Sequence, residues 1–121
     1  MISTTIFPGR YIQGYDAIKR LGSEIARFGK SAFIICDKFI YDNFLPNFRQ
    51  EIEYKVNSTF EIFDEDECSD EEIERLAFAA RKIEADIIVG IGGGKTIDTA
   101  KVVANDIKIS MISVPTLASS D

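Results

Sequence analysis

The 121-residue sequence contains no histidine. That absence removes the commonest general base, the side chain that titrates near neutrality and the most versatile metal ligand. Any chemistry carried by this chain uses other groups, or the chain is part of something larger. Cysteine is scarce: Cys36 and Cys68, 32 residues apart, carry no disulfide framework. The opening MISTTIFPGR has no basic stretch running into an apolar one, so no secretory signal is expected and the cytoplasm is the expected compartment. Long apolar runs are missing. The longest run without a charge, residues 109–120, is twelve residues, whereas a membrane-spanning helix needs about 20; no membrane segment is expected. A basic excess is missing as well. Fourteen bases against twenty acids leave a net charge of −6, which argues against nucleic acid as a partner. There is no internal repeat or low-complexity linker, and the three prolines, at 8, 46 and 115, open no domain boundary.

What is present reads as one globular domain, 45% apolar and 28% charged, long enough to bury a core without covalent staples. The acidity is local. Residues 61–74 (EIFDEDECSDEEIE) hold nine acids and no base, and the remainder, with eleven acids and fourteen bases, carries +3. The block suits a docking or metal-attracting loop. The favoured reading is a solvated loop running into a helix N-terminus, where carboxylates are favourable.

Short apolar runs alternate with amphipathic stretches. Residues 16–28 have helical spacing in Ile18, Leu21, Ile25 and Phe28, with Asp16 as cap and Gly29 as stop. Residues 31–36 (SAFIIC), 86–91 (DIIVGI) and 110–114 (SMISV) read as buried strands, and residues 53–63 hold another. Residues 38–52 form a weaker helical segment interrupted by Pro46. Residues 69–84 are the clearest helix: Ser69 and Glu72 make an S-x-x-E capping box ahead of an Ile73, Leu76, Ala80, Ile83 stripe. Residues 96–105 form a further helix with Ile97, Ala100 and Ala104 on one face. Strands without polar alternation, separated by helices, imply an open doubly wound, Rossmann-like α/β fold: a mostly parallel sheet covered on both faces. Its ligands bind at the carboxyl edge of the strands.

The strongest local signal is Gly90-Ile91-Gly92-Gly93-Gly94-Lys95-Thr96, between a strand and a helix. Glycines admit a close ligand, the helix start offers N–H groups and a positive dipole end, and Lys95 adds a full charge. The anion expected is a phosphate or pyrophosphate. A Walker A loop would need glycine at position 89, which is Val89, and G-x-G-x-x-G would need glycine at 95, which is Lys95. Spacing alone therefore leaves the nucleotide open.

The run Gly92-Gly93-Gly94-Lys95-Thr96-Ile97-Asp98-Thr99-Ala100-Lys101 resembles the G-G-G-x-x-x-D-x-A-K signature of the iron-containing (group III) alcohol dehydrogenases. Pro8-Gly9-Arg10-Tyr11-Ile12-Gln13-Gly14 resembles the P-G-[KR]-Y-x-Q-G opening of the glycerol dehydrogenase branch, and Pro115-Thr116-Leu117-Ala118-Ser119-Ser120-Asp121 its P-T-x-A-S-[ST]-D. The resemblance spans essentially the whole chain. It implies an NAD-dependent oxidation of glycerol to dihydroxyacetone, with residues 1–121 as the N-terminal dinucleotide-binding domain. It implies pyrophosphate at Gly92, Gly93, Gly94 and Lys95, adenosine ribose at Asp37, cofactor lining by Thr116 and Ser119, and the polyol substrate at Asp121. A carboxylate at 37 repels a 2′-phosphate and favours NAD over NADP. The family's zinc, or another divalent metal, is expected on a helical C-terminal domain that this sequence does not include, and the complete enzyme is expected to be a homo-oligomer. The readings held beside this one are a P-loop-like nucleotide hydrolase and a non-catalytic α/β association module. Taken singly, Asp37 also suits a strand-end turn, Thr116 a helix cap, Asp98 a first helical turn and Cys36 a small buried hydrophobe.

Overall fold

The structure, a computed structural model, describes residues 9–11, 20–63 and 69–116. Among the described residues, five parallel strands form one sheet: β1 (Gly9–Tyr11), β2 (Ser31–Asp37), β3 (Asn57–Phe63), β4 (Ile87–Gly92) and β5 (Ser110–Pro115), in the spatial order β1-β5-β4-β2-β3. The described helices are α1 (Leu21–Ala26), α2 (Lys38–Asn43), α3 (Arg49–Lys55), α4 (Asp70–Lys82) and α5 (Gly94–Ile107), with a 3-10 turn at Leu45–Asn47. None of them is long and apolar enough to cross a membrane.

The strand pleat sorts the core into two layers. Ala32, Ile34 and Cys36 of β2, with Val89 and Ile91 of β4 and Ile112 and Val114 of β5, pack against Leu21, Ile25, Ile40, Leu45 and Ile52 of the helices on one face. Phe33, Ile35, Ile88 and Met111 point the other way and meet Ile73, Leu76 and Ala80 of α4 and Ala100, Val103 and Ala104 of α5. Both faces are thus covered, which is why the strands read as continuous apolar runs. The chain leaves β2 through α2 toward the first face and leaves β4 through α5 toward the second. The adjacent carboxyl ends of β2 and β4 therefore bound a crevice where the winding changes direction.

Several boundaries differ from expectation. The Pro46-interrupted segment resolves into two helices, because Pro46 sits inside the 3-10 turn between them. Glu53, expected to open a strand, belongs to α3, and the strand begins at Asn57. Asp16 and Ile18 lie outside the described residues; α1 has Arg20 at its N-cap position with no side-chain cap, and Phe28 is exposed. The capping box forms by half. The Ser69 hydroxyl accepts the Glu72 N–H at 3.1 Å, but the Glu72 carboxylate takes Arg75 instead, at 2.9 and 2.7 Å. Arg75 continues to Glu61 Oε1 and the Ile62 carbonyl at 3.0 and 3.1 Å, tying α4 to β3. Part of the acidic block is thereby neutralised by one guanidinium. Residues 64–68 of that block, with Cys68, lie outside the described residues.

Candidate functional site

Three elements bring the nominated residues to one edge. β4 lies between β2 and β5, with Cys36 in register with Ile91 and Gly92 in register with Pro115. Asp37 closes β2, Gly92 closes β4, and Thr116 follows β5. The Thr116 N–H donates to the Gly92 carbonyl at 3.1 Å. Asp37, Gly92–Lys95 and Thr116 thus adjoin, although 79 residues of chain separate the first from the last. Ser119 and Asp121 lie outside the described residues.

Gly92 is the meeting point. Its φ is +150°, and a Cβ there would stand 2.9 Å from Asp37 Oδ2 and 3.1 Å from the Thr96 side chain. Only a residue without a side chain lets the carboxylate and Thr96 come this close. Asp37 uses its other oxygen structurally: Oδ1 accepts the Ile40 N–H at 2.8 Å and caps α2. The turn-residue reading and the ligand reading of Asp37 are therefore compatible, since the cap fixes the carboxylate and leaves Oδ2 over the glycine run.

The anion cradle is built differently from the expected one. α5 starts at Gly94, so Lys95 lies in its first turn, Thr96 is buried at 3% exposure, and Asp98 falls in the second turn. Gly93 occupies the N-cap and has no side chain to cap with; the first intrahelical bond runs from the Ile97 N–H to the Gly93 carbonyl at 3.0 Å. A Cβ at Gly94 would meet nothing within 4 Å. The protein's own packing does not require glycine there, and without a side chain the first-turn N–H groups and the positive helix end stay open to an anion. A dinucleotide phosphate fits this surface on that ground. Only Gly93 separates β4 from α5, which leaves no loop to wrap a β-phosphate, so the P-loop hydrolase reading is not favoured.

Gly90 has another task. A Cβ there would lie 2.7 Å from the Ala100 Cβ, so the glycine lets α5 lie directly on β4 and fixes where the helix start projects. The sequence carries that signal only as a glycine in the strand and, ten residues on, an alanine in the helix.

Cys36 is fully buried, and its thiol is pushed up to about 12 by burial first and by the Asp37 charge second, with Arg49 opposing. A neutral buried thiol is a packing group, not a nucleophile. Among the described residues no group of three or more histidine, cysteine, aspartate or glutamate side chains could hold a metal. An open groove of about 900 Å³ runs along α4 and α5, with Asp70, Ile73, Phe78, Arg81, Val102 and Asp106 in its lining.

The profile of the iron-containing alcohol dehydrogenases matches residues 8–121. The chain belongs to that family. Among iron-containing alcohol dehydrogenase relatives, the glycerol dehydrogenase of Thermotoga maritima is 52% identical over 122 residues, covering 100% of this chain and 33% of its own length. The glycerol dehydrogenase of Pseudomonas putida is 40% identical over 94% of this chain and 31% of its own. The crystal structure of a probable glycerol dehydrogenase from Sinorhizobium meliloti 1021 superposes with a TM-score of 0.77 at 38% identity, covering 98% of this chain and 32% of that one. The chain therefore spans about a third of the length of the curated relatives it matches.

Proposed function

We propose that residues 1–121 are the N-terminal NAD-binding domain of a cytoplasmic, homo-oligomeric polyol dehydrogenase that oxidises glycerol to dihydroxyacetone. The observation that carries the reading is Gly94. It is exposed and faces open space at the start of α5, two residues after Gly92, which lies against the fixed Asp37 carboxylate. The glycerol dehydrogenase relatives support the choice of substrate class.

When bound, NAD supplies a hydride acceptor. The chain's own residues bind and orient it. N–H groups of the Gly92–Gly94 run hold the pyrophosphate, and Lys95 adds charge from the first turn of α5. Asp37 Oδ2 accepts from the adenosine ribose and repels a 2′-phosphate, selecting NAD over NADP. Thr116 and Ser119 line the cofactor, and Asp121 accepts from a polyol hydroxyl. Zinc or another divalent metal belongs to the complete enzyme; the described residues offer no ligand set for it.

Calorimetric titration with NAD tests the reading. Lys95→Ala and Gly94→Ala each raise the NAD Kd, by about tenfold for loss of a charge-assisted contact or of close backbone approach. Unchanged affinity in both variants removes the pyrophosphate from this loop.

A further inference from the structure

Helix α4 presents a solvent face that the cofactor site does not use. Phe78 is 68% exposed and, with Val102 of α5 at 42%, lies in the open groove between the two helices. Two large apolar side chains sharing one groove are unlike singly scattered surface residues and mark a contact surface. The charges around them are sorted by sign. Asp70, Glu71 and Glu74 stand in the first two turns of α4, and Arg81 and Lys82 close it. That order suits the helix dipole, but the dipole gives no reason for an exposed Phe78. Glu71, Glu74 and Lys82 have no ion-pair partner among the described residues, and Arg81 meets the exposed Asp106 at 3.5 Å.

Helical geometry makes this face complementary to itself. With Phe78 as centre and about 100° per residue, Glu71 and Lys82 lie roughly 20° and 40° to one side, and Glu74 and Arg81 roughly 40° and 60° to the other. Along the axis, at about 1.5 Å per residue, Glu71 stands roughly 9 Å before the level of Ala77 and Lys82 roughly 7.5 Å after it. Glu74 and Arg81 stand roughly 4.5 Å before that level and 6 Å after it. A two-fold axis there, relating two antiparallel copies of α4, sets each flank against the same flank of the copy with its ends exchanged. Glu71 then faces the partner's Lys82, Glu74 faces the partner's Arg81, and Phe78 meets the partner's Phe78 at an axial offset of about 3 Å.

We infer that the exposed face of α4 docks a second copy of this chain, with the two helices antiparallel and Phe78 at the centre of the contact. An apolar centre inside a charged rim is how such interfaces are built. The aromatic contact supplies affinity, while the opposed charges fix orientation. Parallel helices would set acids against acids at one end and bases against bases at the other, so the same charges that permit the antiparallel pair forbid its alternative. With one helix from each copy the contact is small, and association through it alone is weak. It uses no residue of the anion cradle and is independent of the dinucleotide reading.

Analytical ultracentrifugation of the 121-residue chain tests the pairing. The wild-type sedimentation coefficient rises with concentration across roughly 1–100 µM, the range of a small interface. Phe78→Ser raises the dimer Kd at least about tenfold. Glu71→Lys and Lys82→Glu each set like charges opposite one another and raise it about tenfold. Both changes in one chain exchange the two ends and return the Kd to within about threefold of wild type. The net charge of that doubly changed chain is the wild-type one, so its recovery does not come from overall charge. All three positions are exposed, and circular dichroism melts check that each variant is folded. The inference is overturned if wild type sediments as a monomer throughout, since a different partner then covers Phe78. It is overturned if Phe78→Ser associates like wild type, which moves the contact to another face. It is overturned in its antiparallel form if the doubly changed chain associates as weakly as the single variants.

Discussion

Substituting Gly90 by alanine probes how the glycine loop is aimed. The added Cβ would lie 2.7 Å from the Ala100 Cβ and 3.6 Å from Ile97 Cδ1 and Met111 Cε. The last two contacts are ordinary. The first is not, because both carbons are bonded directly to backbone, one in β4 and one in α5, and no rotamer change separates them. Relief requires the helix to lift from the sheet, an overpacking cost of about 2 kcal/mol. For a domain of this size that lowers Tm by roughly 8 °C. Ala100→Gly alone costs about 1 kcal/mol through helix propensity. In the double variant the clash is gone, so it should be about as stable as Ala100→Gly alone, a coupling of about 2 kcal/mol in a double-mutant cycle read by urea and thermal denaturation. A Gly90→Ala protein that melts within roughly 2 °C of wild type, or a cycle with no coupling, refutes the claim that this contact seats α5.

Four further outcomes follow from the structure. Gly94→Ala is neutral or stabilising by about 0.5 kcal/mol, since its conformation is helical and its surroundings open, whereas Gly92→Ala destabilises by about 2 kcal/mol through its positive φ and the Asp37 contact; chemical denaturation of the two separates a binding glycine from a structural one. Ser69→Ala removes the α4 cap at a cost of about 1 kcal/mol, measured the same way. Arg75→Met leaves the nearly buried Glu72 carboxylate without its partner and costs about 2 kcal/mol at pH 7, measured by thermal melts of both proteins. Cys36 titrates near 9.0 when unfolded and at about 12 when folded, so its contribution to stability is complete below pH 9 and fades as pH rises toward 12. Mass-spectrometric alkylation of Cys36 at pH 8 should therefore track global unfolding, and fast modification of the native chain contradicts the burial.

Much of this architecture is legible in the residues because periodicity and burial coincide. The runs at 31–36, 86–91 and 110–114 are apolar on both pleat faces, and only a sheet covered twice uses such runs. Asp37, the glycine run and Thr116 each follow an expected parallel strand, and topology alone puts parallel carboxyl ends at one edge. Other features depend on tertiary competition. β1 carries no strand signal of its own: Gly9–Tyr11 is three residues long, and its pairing with β5 supplies what its own propensity does not. Glu72 abandons the capping box because Arg75, held also by Glu61, offers a charged partner. α5 begins at Gly94, two residues before the expected Thr96, despite the poor helix propensity of glycine.

The sheet's outer seam has a consequence for how the chain is made. Gly9 pairs with Met111, so the first strand's hydrogen-bonding partner emerges 102 residues later. At roughly 5–20 residues per second of synthesis, the N-terminal strand waits about 5–20 s for it. During that interval β2, β3 and β4 can already zip together, and β5 is the piece that finally recruits β1. An edge completed last is a natural moment for a chaperone to act, and the three-residue length of β1 keeps its waiting backbone a poor template for mispairing.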